Sequence, residues 1–144
     1  KHYLDWAIPA FRLVHSSVRP ETQIHTHMCY SEFADILKEI ETMDADVYTF
    51  EAARSDLGLL DALSSSGFSR QVGPGVYDIH SPRIPGQEEI YTIIQTMGRK
   101  LQPDDLWINP DCGLKTRKNE EVFSSLRNMV NATRQYRKRL GLPS

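Results

Sequence analysis

What most constrains this chain is its alternation between two hydrophobic periods. Over residues 3–14, Leu4, Ala7, Ile8, Phe11 and Val14 recur at helical spacing. Pro9 lies inside that pattern, so the helix is expected to kink there or to begin late. Residues 22–30 alternate and are rich in β-branched types, which reads as a strand ending in a loop. Ser31 is suited to cap a helix on which Phe33, Ile36, Leu37 and Ile40 share a face. The unit then recurs. A strand over 47–51 precedes Leu57, Leu59, Leu60 and Leu63 on a short helix from about Asp56, which Ser64-Ser65-Ser66-Gly67 stops. A strand over 75–80 closes at Ser81-Pro82 and precedes a helix over 87–101 with Ile90, Ile93, Ile94, Met97 and Leu101 on its inner face. A fourth strand over 106–109 leads to a last helix over 120–140. That helix turns Val122, Leu126, Met129, Val130 and Thr133 inward and ends in cations, which suits a helix C-terminus.

One helix followed by four βα units implies a parallel sheet with right-handed crossovers. Four such units are half of an eight-stranded barrel. The expected fold class is therefore α/β, of the (β/α)8 TIM-barrel family, with residues 1–144 as one unit. Hydrophobic residues at 40% and charged residues at 25% support a packed core and exclude wholesale disorder. A net charge of -2 supplies no global field for nucleic acid or an anionic membrane. No apolar run nears the roughly 18 residues that a bilayer span needs. The two cysteines, Cys29 and Cys112, exclude a disulfide-rich scaffold and leave one bridge open on the count alone. The chain opens without Met, inside a helical pattern and with no signal-peptide pattern, so it is expected to be a piece of a longer protein.

The reactive side chains collect at one kind of place. His27 and Cys29 end the first expected strand, Glu51 the second and His80 the third, and Cys112 follows the fourth. Sites in parallel α/β folds form at the C-terminal ends of strands. Two thiols, an imidazole and a carboxylate make a four-coordinate zinc site, because thiolates favour zinc over magnesium or calcium. Each residue also has a plainer reading. A cysteine taken alone is more often a small buried hydrophobe. His25, on the same strand face as His27, is expected to be hydrogen-bonded, either in the core or behind the site's ligands. Asp78 either orients His80 or is an ordinary loop carboxylate. His2 and His15 are expected at the surface, and Lys115, Arg117 and Lys118 on a solvated face.

Four words of sequence make the chain recognisable. They are Gln23-Ile24-His25-Thr26-His27-Met28-Cys29-Tyr30, Asp44-Ala45-Asp46-Val47 leading to Glu51 and Arg54-Ser55-Asp56, Gly73-Pro74-Gly75-Val76-Tyr77-Asp78-Ile79-His80-Ser81-Pro82, and Trp107-Ile108-Asn109-Pro110-Asp111-Cys112-Gly113-Leu114-Lys115-Thr116-Arg117. In this order, and over nearly the whole chain, they resemble cobalamin-independent methionine synthase. The resemblance implies the last four βα units of the C-terminal catalytic barrel plus the helix before them. It implies zinc held by His27, Cys29, Glu51 and Cys112, and His80 as proton donor. Ser55 would line the substrate pocket. The substrates it implies are L-homocysteine and 5-methyltetrahydropteroyl-oligoglutamate, a methylated folate, with the rest of the barrel upstream as partner and a cytoplasmic location. This fragment alone is expected to be inactive. Two other readings stand beside it: a single-barrel methyltransferase that takes its methyl from a corrinoid protein, and a zinc-stabilised half-barrel without catalysis. Pro9 and Asn119 depart from the family's usual residues at their positions.

Overall fold

The computed structural model describes residues 2–29, 36–53 and 58–143. Within them, helix α1 (His2–His15) is followed by β1 (His25–Met28), α2 (Leu37–Glu41), β2 (Val47–Phe50), α3 (Gly58–Ser66), β3 (Gln71–Pro74), α4 (Gln87–Met97) and α5 (Asn119–Arg139). The strands form a three-stranded sheet in the order β1-β2-β3. Both pairings are parallel, with His25 opposite Val47 and Val47 opposite Gln71. The α/β alternation thus yields the expected parallel sheet. Ser31, Phe33, Ser55 and the expected start of α3 at Asp56 lie outside the described residues.

Register and pleat divide the strand residues between two faces. Tyr48, Phe50, Val72 and Pro74 point to one side and are buried there. Leu37 and Ile40 of α2, Leu60 and Leu63 of α3, and Ile90, Ile94 and Met97 of α4 cover that side and form the core with Tyr48, Phe50 and Val72. The other face carries His25, His27, Val47, Thr49, Gln71 and Gly73. Helix ends are set by local bonds. The Gly86 amide donates to Glu89 at 3.4 Å at the start of α4, and the Lys118 amide donates to Glu121 at 3.0 Å at the start of α5. Arg137, Lys138 and Arg139 close α5, where cations oppose the helix dipole.

Several expectations need correction. The third strand lies at Gln71–Pro74, not at 75–80. Val76, Tyr77 and Ile79 have strand character and are buried, but they turn over the core instead of pairing with β2. The true strand contains Gly73 and Pro74, which read as loop residues by propensity. Tertiary contact explains the glycine. A Cβ on Gly73 would stand 2.1 Å from Asn109 Oδ1 and 2.8 Å from Thr49 Cγ2. The fourth strand is an extended segment alongside β3, joined by isolated parallel bridges from Val72 to Leu106 and from Gly75 to Asn109. Amides of Trp107 and Asp111 donate to the carbonyls of Val72 and Tyr77, and the Val76 amide donates back to Asn109. Strand β1 is shorter than the 22–30 pattern, α1 runs through Pro9, and α4 ends at Met97. Val130 is exposed, not inward.

Candidate metal centre

The C-terminal ends of the strands bring distant residues together. His27 lies in β1 and Cys29 just beyond it. Cys112 follows the extended segment beside β3, and its Sγ is 3.3 Å from that of Cys29. Both are thiols rather than a disulfide. Ligand atoms of His27, Cys29 and Cys112 all lie within 4.8 Å of one another, and this is the one such group of His, Cys and carboxylate side chains among the described residues. An imidazole nitrogen and two sulfurs suit a tetrahedral ion of zinc's type.

Thr49 determines how His27 presents its ring. The Thr49 hydroxyl donates to the Thr26 carbonyl at 3.1 Å, and it lies 2.8 Å from His27 Nδ1. A hydroxyl has one proton to give. With its own proton on the Thr26 carbonyl, the hydroxyl is placed to accept from His27 Nδ1, an arrangement in which a neutral ring would keep Nε2 for a metal. Burial, then the hydrogen bond and charge of Cys112, then the charge of Glu51, push the Cys29 thiol up to about 11, while Lys115 opposes the rise. A metal would have to displace those protons, so uptake is coupled to proton release.

Glu51 directly follows β2 but does not join the three-residue group. Its Oε1 lies 3.8 Å from His80 Nε2. His80 sits in a turn beyond β3, not at a strand end, because β3 stops at Pro74. Asp78 Oδ1 accepts the His80 backbone amide at 2.8 Å, so it holds that turn through the main chain. His25 is exposed. It bonds Gln23 at 3.0 Å and meets Trp107 edge-on at 4.7 Å. Arg117 is 3.9 Å from Glu121, while His15 keeps a buried Nε2 despite its expected surface position. Two residues of the site had no individual signal in the sequence. Thr49 is an ordinary strand residue until the register sets it opposite His27. Asp111 is buried and bonds amides across the site.

Residues 1–135 match the family described as "Cobalamin-independent synthase, Catalytic domain". The chain belongs to this family. It is 64% identical over 138 residues to a protein of Campylobacter jejuni subsp. doylei named 5-methyltetrahydropteroyltriglutamate--homocysteine methyltransferase, covering 96% of this chain and 18% of that protein. A protein of the same name from Lactococcus lactis subsp. lactis is 63% identical over 138 residues, with the same coverage of 96% and 18%. A solved B12-independent methionine synthase from Shewanella sp. W3-18-1, in complex with selenomethionine, superposes with a TM-score of 0.80 at 16% identity, over 94% of this chain and 44% of that one. That likeness establishes the fold. The chain thus spans about a fifth of the curated relatives it matches. Among the described residues, no helix is long and apolar enough to cross a membrane.

Proposed function

We propose that this chain is the C-terminal half of the zinc-binding catalytic barrel of a methionine-forming methyltransferase, supplying its last four βα units and the helix before them. The observation that carries this reading is the donor group of His27, Cys29 and Cys112 at the strand ends of a chain in the cobalamin-independent family. Glu51 is assigned as the fourth ligand, since its charge already acts on Cys29 from the neighbouring strand end. These residues would hold zinc, which would supply charge that favours the thiolate of a substrate thiol at a pH where a free thiol, with pKa about 8.5, is mostly protonated.

The methyl donor is 5-methyltetrahydropteroyl-oligoglutamate and the acceptor is L-homocysteine. A carbon–sulfur bond forms as the methyl–nitrogen bond breaks, and the folate nitrogen keeps the electron pair. That nitrogen leaves poorly unless a proton reaches it, and His80 is assigned as the acid that supplies it. Its Nε2 lies 3.8 Å from Glu51 Oε1 and its backbone amide is held by Asp78, which supports this assignment. Ser55 is assigned to the substrate pocket. The folate and homocysteine sites need the upstream part of the barrel, so the isolated 144 residues are expected to form no methionine. A reducing cytoplasm suits the two thiols.

The test is zinc content of the full-length protein, kept reduced, with thiols counted before and after chelation. About one zinc per catalytic barrel is expected, with Cys29 and Cys112 reactive only after chelation. Cys112→Ser is expected to lose zinc and methyl transfer together. Tight zinc in that variant would sink the ligand set.

A further inference from the structure

Asp111 is an acid that is only 3% exposed, and no charged partner accounts for its burial among the described residues. Its Oδ1 accepts two successive backbone amides, from Ala52 and Ala53, each at 2.9 Å. Those amides directly follow Glu51. Its own amide donates to the Tyr77 carbonyl at 3.1 Å, on the turn that leads to His80. Its neighbour in the chain is Cys112. The carboxylate thus ties the segment after Glu51 to that of Cys112, and the Asp111 backbone amide ties in the turn that leads to His80. The close fit depends on Gly75, where a Cβ would stand 2.0 Å from Asp111 Oδ1 and 2.5 Å from its Cα.

We propose that Asp111 is a positioning residue of the metal centre, whose clamp on the Ala52 and Ala53 amides sets where Cys112 stands relative to Glu51 and Cys29. This inference rests on the metal-site reading above. The physical reason is leverage. Cys112 lies on a segment joined to β3 by isolated bridges, not by a full ladder. Its sulfur therefore owes its position to the few bonds near it. Groups behind the ligands commonly change metal affinity by about 10–100-fold when removed. Charge is not what the clamp requires, because an amide oxygen can accept the same two bonds.

The experiment uses the full-length protein with Co(II) in place of zinc, read by its visible bands and by competition with a chromophoric chelator. Thermal melts of the metal-free proteins run in parallel. Asp111→Ala is expected to weaken Co(II) binding by about 10–100-fold and to alter the thiolate and d–d bands. Asp111→Asn is expected to keep the bands and to bind within a few-fold of the unsubstituted protein. Gly75→Ala leaves the carboxylate in place but pushes its segment away, and is expected to weaken binding as Asp111→Ala does. It carries the test if Asp111→Ala does not fold. Unchanged bands and affinity in Asp111→Ala, or in Gly75→Ala, with only the melting temperature lowered, would show a merely structural residue and overturn the inference. Loss of binding in Asp111→Asn equal to that in Asp111→Ala would also overturn it. If the unsubstituted protein binds no Co(II) through its thiols, the metal-site reading fails and this inference fails with it.

Discussion

Replacing Thr49 by Val removes one hydroxyl and leaves the side-chain volume nearly unchanged. Two hydrogen bonds are lost, from His27 Nδ1 at 2.8 Å and to the Thr26 carbonyl at 3.1 Å. A typical net hydrogen bond contributes about 0.5–1.5 kcal/mol. His27 is exposed, so water can replace its partner, and the half-buried Thr26 carbonyl bears most of the cost. The expected loss of fold stability is about 1 kcal/mol. The effect on metal is larger for a different reason. Without the Thr49 hydroxyl, the His27 ring loses the contact that orients it, and a metal must order the ring on binding. Loss of such an outer partner costs about 10–100-fold in affinity, or about 1.4–2.8 kcal/mol. Chelator competition on the full-length protein measures this, and thermal melting of the metal-free form measures the stability term. Thr49→Ser restores the hydroxyl and is expected to recover most of the affinity. Zinc held as tightly by Thr49→Val as by the unsubstituted protein would refute the orienting role of Thr49. So would failure of Thr49→Ser alongside it.

Ile94 is 1% exposed on the inner face of α4, so Ile94→Ala is expected to cost about 2–5 kcal/mol. Denaturant midpoints check this, and a loss below about 1 kcal/mol would mean that this face of α4 is not core. Glu89 bears on acid stability. Its hydrogen bonds from Arg83, assisted by the Arg83 charge and the Gly86 amide, hold its carboxyl below the ordinary 4.5. A carboxyl whose pKa is lower in the folded state stabilises fully above its unfolded value and loses that contribution as pH falls through the folded value. The melting-temperature gap between the unsubstituted protein and Glu89→Gln is therefore expected to be small, because the pair is exposed. It should be constant from neutral pH down to about 4.5 and shrink below that. A gap that widened on acidification would contradict the assignment.

The hydrophobic periods and the punctuation between them were enough to read the α/β class, the parallel sheet and the positions of α4 and α5. That is because an amphipathic period is a local property that each helix or strand states for itself. The words around His27, Cys29 and Cys112 carried the family and the donor set, because ligand types must appear in the sequence whatever the fold does with them. Register was another matter. β3 lies at Gln71–Pro74, with a glycine and a proline that local propensity reads as loop. What makes it a strand is the edge of β2 on one side and the Asn109 side chain filling the space above Gly73 on the other. The same holds for Thr49 and Asp111. Their roles come from a carbonyl, a ring and two amides supplied by other segments, and no period or motif within their own segments announces those partners. Sequence alone determined which chemistry this protein has available. Tertiary packing decided which hydroxyl meets the His27 ring and which strand ends are tied together, because hydrogen bonds between distant segments exist only once the sheet has brought them within reach.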